Sequence, residues 1–151
     1  MNRETIKNIF NFLKEKEDKE LPYIWLDSIK KFKLIELIQE LETHPDYRQY
    51  RHNGYLDLSY SNITKLPNDL YVDGDLSLER CEQFTELPNN LYVGGNLWLY
   101  ASKIQEIPDN LYVGGYLHIN ETPLSKKYSH EEIREIITSK GGTIIGKILI
   151  Y

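Results

Sequence analysis

Leu66-Pro67-Asn68-Asp69-Leu70-Tyr71-Val72-Asp73-Gly74 recurs as Leu87-Pro88-Asn89-Asn90-Leu91-Tyr92-Val93-Gly94-Gly95, and again as Ile107-Pro108-Asp109-Asn110-Leu111-Tyr112-Val113-Gly114-Gly115. The offsets are 21 and 20 residues. One residue after each of Gly54, Gly74, Gly95 and Gly115 comes an alternating apolar pair: Leu56/Leu58, Leu76/Leu78, Leu97/Leu99 and Leu117/Ile119. A further apolar residue follows each pair: Ile63, Phe84, Ile104 and Leu124. It lies five residues beyond the pair in three copies and six in the second, which accounts for the longer offset. A fixed period of this length is the signature of a stacked repeat architecture.

The apolar-x-apolar piece reads as a strand with both apolar side chains on one face, because side chains alternate along a strand. One copy cannot bury that face alone, so the copies stack into a parallel sheet over a continuous core. The four glycines sit where the chain turns into the strand, and are expected to supply a positive backbone angle there. The Leu-Pro-x-x-Leu-x-Val half is expected to run back as a short extended segment. The first copy lacks its Leu-Pro half, so the repeats are assigned to 53–124 and nothing after Leu124 is read as repeating.

The flanks read as caps. In 1–52, Ile6, Ile9, Phe10 and Leu13 follow helical spacing, as do Leu34, Leu37, Ile38 and Leu41 in a second segment from about 23 to 43. Leu21-Pro22 separates the two and His44-Pro45 ends the second. In 125–151, Ser129-His130-Glu131-Glu132 matches a capping box, and Ile133, Ile136 and Ile137 give a short apolar face. Gly141-Gly142 can stop that helix through a left-handed cap, and Thr143–Tyr151 reads as a strand that can extend the sheet. The expected fold is α/β: a short repeat solenoid with a parallel β-sheet, an N-terminal helical cap and a C-terminal helix–strand cap.

The repeat resembles the leucine-rich-repeat family. That family's core, L-x-L-x-x-N/C/T-x-L, corresponds to Leu97-Trp98-Leu99-Tyr100-Ala101-Ser102-Lys103-Ile104 and to Leu117-His118-Ile119-Asn120-Glu121-Thr122-Pro123-Leu124. The family's ladder position, whose side chain bonds neighbouring backbone around the bend, falls on Ser61, Cys81, Ser102 and Thr122. No asparagine occupies it, a departure from the commonest family pattern. The short period and the Leu-Pro are similar to compact repeats of bacterial effectors and bacteriophage-encoded proteins. Some such effectors carry a catalytic cysteine in a separate ubiquitin-ligase domain, which is much larger than 125–151. Cys81 on the ladder position is therefore read as structural.

Composition narrows the function. Of 151 residues, 40% are hydrophobic and 27% charged, a globular balance. The net charge of -5 argues against a binder driven by overall basicity. The single cysteine excludes an internal disulfide or a cysteine-cluster zinc site. His44, His52, His118 and His130 show no metal-ligand spacing. The glycine pairs precede a strand and not a helix, so they do not read as a phosphate cradle. No catalytic residue, metal or cofactor is expected. The opening residues lack the apolar stretch of a secretory signal, and no apolar run reaches the roughly 18–20 residues of a membrane helix. The expectation is a cytoplasmic protein without a membrane partner, and the sequons at Asn62 and Asn120 are then chance matches.

The outward strand positions are the informative ones. They form columns Tyr55/Asp75/Asn96/Tyr116, Asp57/Ser77/Trp98/His118 and Ser59/Glu79/Tyr100/Asn120. Trp98, Tyr100, Tyr116 and His118 are expected to cluster on adjacent strands, with Asp57, Asp75 and Glu79 as an acidic half beside them. Aromatics with polar handles are typical of binding hot spots. The competing reading is that cross-strand aromatics only stabilise the sheet, or that terminal segments fold over the face. Tyr71, Tyr92 and Tyr112 form another column, read as repeat structure. Residues 53–122 carry Lys65, Arg80 and Lys103 against ten Asp/Glu, a net -7, whereas 1–52 is neutral and 123–151 is +2. A -7 solenoid repels phosphates and attracts basic protein surfaces. The expected activity is non-enzymatic protein binding through the outward strand face, with no direct nucleic-acid binding by the solenoid. The alternative is a phage-encoded inhibitor that blocks a host or defence enzyme by direct contact.

Overall fold

The computed structural model describes residues 51–151. The helical readings within 1–50 lie outside the described residues. Each coil contributes two short strands, one to each of two parallel sheets. Sheet A contains β1 (Arg51–His52), β3 (Tyr71–Val72), β5 (Tyr92–Val93), β7 (Tyr112–Val113) and β9 (Thr143–Ile144), in that spatial order. Sheet B contains β2 (Leu56–Asp57), β4 (Leu76–Ser77), β6 (Leu97–Trp98), β8 (Leu117–His118) and β10 (Ile148–Leu149), again in coil order. The fold is a parallel β-solenoid carrying two helices among its described residues.

The return half is therefore a second sheet and not a plain extended segment. The reason lies in its own period-two pattern. Leu70 and Val72, Leu91 and Val93, and Leu111 and Val113 all point inward and are fully buried, while the tyrosine between each pair points out. The strand phase of sheet B is as the sequence suggests, with Leu56, Leu58, Leu76, Leu78, Leu97, Leu99, Leu117 and Ile119 in the core. Register is exact coil on coil: Leu76 pairs Leu97, and Leu97 pairs Leu117.

The corner glycines serve a different purpose from the one expected. Of the four, Gly54 alone has positive φ, at 83°. The others stand where neighbouring coils touch through their backbones. A Cβ on Gly74 would lie 2.7 Å from the carbonyl carbon of Gly54, and one on Gly95 3.0 Å from that of Gly74. The tightest approaches to backbone atoms are at their neighbours Gly94 and Gly114, where a Cβ would lie 2.1 Å from the Asp73 carbonyl oxygen and 2.2 Å from that of Gly94. The left-handed turns fall instead on non-glycine residues: Tyr60, Arg80, Ala101 and Glu121 at one corner, and Asp69, Asn90 and Asn110 at another. Asn and Asp tolerate this conformation because their short polar side chains bond locally.

Those side chains build ladders between coils. Asn90 donates its amide to Asp69 at 2.7 Å, and Asn110 donates to Asn90 at 2.8 Å. Beside them, the Asn89 and Asp109 backbone N–H groups donate to the Asn68 and Asn89 side-chain oxygens at 3.0 Å. The asparagine missing from the ladder position thus appears at the proline turn. The ladder position itself is partly bonded: within the bend Ser61 donates to the Leu58 carbonyl at 2.6 Å and Thr122 to Ile119 at 2.8 Å, and across coils the Cys81 thiol donates to the Leu58 carbonyl at 3.1 Å. Ser102 Oγ is buried without a hydrogen-bond partner among the described residues.

Beyond Leu124 the repeat continues, contrary to the sequence reading. Thr143–Ile150 forms two strands and not one: β9 pairs with β7, and β10 with β8. Between Thr122 and Thr143 the chain makes a helical detour through α1 (Pro123–Lys127) and α2 (His130–Ser139). The Ser129–Glu132 capping box is formed on both sides. Gly141 ends α2 at φ 78°, and the Gly142 and Gly141 N–H groups return to the Ile137 and Thr138 carbonyls at 2.9 and 3.0 Å, a Schellman closure. Ile133 and Ile137 are buried against the core.

Arg134 of α2 closes the last edge of sheet A. In each inner interface two consecutive corner N–H groups donate to the preceding coil: Gly114 to Val93 and Gly115 to Gly95, both at 2.8 Å, then Ile145 to Val113 at 3.0 Å and Gly146 to Gly115 at 3.1 Å. The equivalent carbonyls of the final coil, Ile144 and Gly146, accept instead from Arg134 Nη1 and Nη2 at 3.1 and 2.9 Å. The guanidinium fork thus supplies the two donors that a following coil would bring. Truncation after Ser125 removes α2, β9 and β10 and bares both the β7–β8 edge and the end of the core. An uncovered edge recruits other chains. The 1–125 fragment is expected to aggregate or fail to melt cooperatively in size-exclusion and thermal-denaturation experiments. A soluble monomer melting near the full chain would contradict this capping role.

Candidate functional site

The outward face of sheet B carries the candidate residues on four successive coils. The final coil extends the three columns with Lys147, Leu149 and Tyr151. At its centre Asp75 gathers three donors. Its Oδ1 accepts the Asn96 backbone N–H at 2.7 Å, and its Oδ2 accepts the Asn96 amide at 3.1 Å and the Trp98 indole N–H at 3.3 Å. Burial alone raises the Asp75 carboxyl, but the Asn96 and Trp98 donors outweigh it and hold the group below the usual carboxylate range. Asn96 relays the pattern by accepting the Tyr116 N–H at 2.8 Å.

Trp98 leans back toward Asp75 and exposes its other flank to His118. The two rings stack at 3.6 Å between centroids and 13° between planes. Tyr116 meets His118 edge-on at 6.3 Å. Burial pushes the His118 imidazole below its ordinary value of 6.5, and the Asp75 charge opposes that only in part. His118 Nε2 and Asn120 Oδ1 are buried without hydrogen-bond partners among the described residues. Asp75, Trp98, His118 and Tyr116 thus form one connected cluster, with Asn96 as the link.

The other candidates are tied differently. Tyr100 donates to Glu121 at 2.9 Å and lies under the Arg80 guanidinium, 5.2 Å from the ring centre. Arg80 also faces Tyr60 at 6.0 Å. Asp57 accepts the backbone N–H of Ser59 at 2.9 Å, and the Ser59 hydroxyl donates to it as well. The Glu79 side chain makes no hydrogen bond or ion pair among the described residues. Tyr55 stands beside this acidic group: burial, then the charges of Asp57, Glu79 and Asp75, raise its phenol, while Ser77 opposes the shift. Ser77 is outward in strand phase yet only 1% exposed, because the larger side chains around it cover it. Outward phase does not guarantee exposure where a small residue lies between long ones.

Asn96, Arg80, Tyr60 and Glu121 join these contacts without being among the candidates that the sequence singles out. Asn96 was visible as the polar member of a column between Asp75 and Tyr116. The other three belong to a fourth column at the left-handed corner, which no periodic apolar signal marks. On sheet A, Tyr71, Tyr92 and Tyr112 stack at 4.2 and 4.5 Å with their ring planes nearly parallel, and the Arg51 guanidinium lies 4.2 Å from the centre of the Tyr71 ring. Cys81 is fully buried in the core. Among the described residues no three His, Cys, Asp or Glu side chains are arranged to hold a metal ion, and no helix is long and apolar enough to cross a membrane. Compared with protein-family models, curated proteins and solved structures, the chain matches none.

The His118 environment gives a direct test. Its imidazole should titrate below 6.5 in the folded chain, observed by NMR. Asp75→Asn removes the opposing charge while keeping an acceptor for Trp98, so the midpoint should fall further. Because the folded state takes up its proton later than the unfolded one, this group's contribution to stability is complete above about pH 6.5 and declines as pH falls through that value. A midpoint at or above 6.5 would contradict the burial described.

Proposed function

We propose that the chain is a non-enzymatic protein-binding module that engages a basic protein surface through the outward face of sheet B, and that it is a short relative of the leucine-rich-repeat family. The observation that carries the reading is the connected Asp75–Asn96–Trp98–His118–Tyr116 cluster. Its aromatic rings are held in place by hydrogen bonds and stacking before any partner arrives, so little side-chain freedom is lost on binding. Tyr116 within it and Tyr55 on the same face remain 46% and 58% exposed, which leaves apolar area with polar handles for contact.

Charge adds to this. Asp57, Asp75 and Glu79 lie on the same face, in a stretch with a net -7. Such a field steers basic partners and repels nucleic-acid phosphates. The family resemblance, carried by the Leu-x-Leu spacing and the ladder position, points to the same use of the strand face. The mode is direct contact, with no residue assigned to bond making or breaking.

The test compares capture of a protein partner from lysate by the wild type, Trp98→Ala, Tyr116→Ala and Glu79→Lys. Hot-spot aromatics contribute roughly 2–4 kcal/mol, so each aromatic variant should weaken binding by at least about thirtyfold. Glu79→Lys should slow association most at low salt. Far-ultraviolet circular dichroism should be unchanged in all three. Wild-type binding by both aromatic variants would remove this face as the site.

A further inference from the structure

The two sheets end differently at the last coil. On sheet A, the carbonyls of Ile144 and Gly146 are occupied by Arg134. On sheet B, no described strand lies beyond β10. The direction of its free groups follows from the inner coils. Leu117 of β8 and Ile119 just after it donate their N–H groups forward, to the Lys147 and Leu149 carbonyls at 2.9 and 3.2 Å. Ile148 and Ile150 occupy the equivalent positions one coil later, so their N–H groups point away from β8 along an open edge.

The surroundings of that edge are cationic. An open depression between α2 and β10 is lined by His130, Glu131, Arg134, Lys147 and Ile148. Among the described residues, neither Arg134 nor Lys147 is paired with a carboxylate. The Arg134 guanidinium is fixed in place by its two main-chain bonds. Residues 123–151 carry five basic side chains and three acidic ones, opposite in sign to the -7 of the coils before them.

We propose that the β10 edge is a docking site for an extended acidic peptide segment of a partner protein, which adds a strand to sheet B. The Ile148 and Ile150 N–H groups supply main-chain hydrogen bonds, as in other strand additions. Lys147 and Arg134 receive carboxylates of the incoming strand. Because Arg134 blocks the neighbouring edge of sheet A, the added strand is confined to sheet B and does not nucleate a further coil. The site lies on the coil next to Tyr116 and His118, at the open edge of the same sheet, and uses none of the aromatic side chains assigned to the first partner.

The test uses the full chain and two labelled probes, acetylated (Glu-Val)4 and (Lys-Val)4 peptides. Fluorescence anisotropy should show salt-sensitive binding of (Glu-Val)4 and at least tenfold weaker binding of (Lys-Val)4. NMR shifts should centre on 147–151, with slowed amide exchange at Ile148 and Ile150. Lys147→Glu should weaken (Glu-Val)4 at least fivefold. Ile150→Pro, which removes an outward donor, should do the same while the Trp98 signals stay native. Binding unaffected by both variants, equal binding of the two probes, or no binding of either would overturn the proposal. So would concentration-dependent self-association abolished by Ile150→Pro, since the edge would then belong to a second copy of the chain.

Discussion

Backbone contact between coils stacked in register is the constraint from which the rest of the structure follows. Parallel strands pair about 4.8 Å apart, and every inner coil must meet that spacing on both sheets at once. At the corner between the sheets the chains come so close that Gly94 and Gly114 have no room for a side chain. The same repeat distance brings Tyr71, Tyr92 and Tyr112 into a face-to-face column and aligns the asparagine ladders. Each coil buries its leucines only because its neighbours are there, so stability is shared along the axis.

An architecture of this kind has its weak points at its ends. The last coil meets this with a helix and a fork of charge: α2 lays Ile133 and Ile137 on the core, and Arg134 takes up two main-chain acceptors. The detour through α1 and α2 is possible because the corner residue Thr122 serves two ends. It bonds the Ile119 carbonyl as Ser61 bonds that of Leu58, and its hydroxyl accepts the Ser125 N–H as a helix N-cap. The outward faces then differ along the axis. The middle coils carry acids and aromatics already joined to one another, and the final coil carries Lys147 beside an open strand, near Arg134 of α2, neither of them paired with a carboxylate among the described residues.

Much of this was legible in the sequence, and the exceptions have physical causes. The Leu-x-Leu strands and their phase follow from spacing alone, as does the α2 capping box. The second sheet was written in Leu70/Val72 and its copies, but a tyrosine between two apolar residues is a short signal beside a proline turn. The final coil escaped because Thr143–Ile150 has no Leu-Pro start and follows a helical insertion. The glycines were recognised as corner residues, but a sequence cannot show which atom of the next coil stands beside them. At the site, the outward columns were readable. Ser77's burial and the lean of Trp98 toward Asp75 were not, because both depend on how long side chains tilt across coils.

Close coil-to-coil contact, and not dihedral freedom, requires the inner glycines. Comparing the stability of Gly114→Ala with that of Gly54→Ala by chemical denaturation tests it directly. Gly54 has positive φ with open space around its missing Cβ, and Gly114 has ordinary φ with the Gly94 oxygen 2.2 Å from where a Cβ would stand. Gly54→Ala should cost about 1–2 kcal/mol, the strain of one left-handed residue, and Gly114→Ala should lose clearly more, because two coils must separate. A Gly114→Ala variant as stable as the wild type, with Gly54→Ala the more damaged of the two, would contradict it.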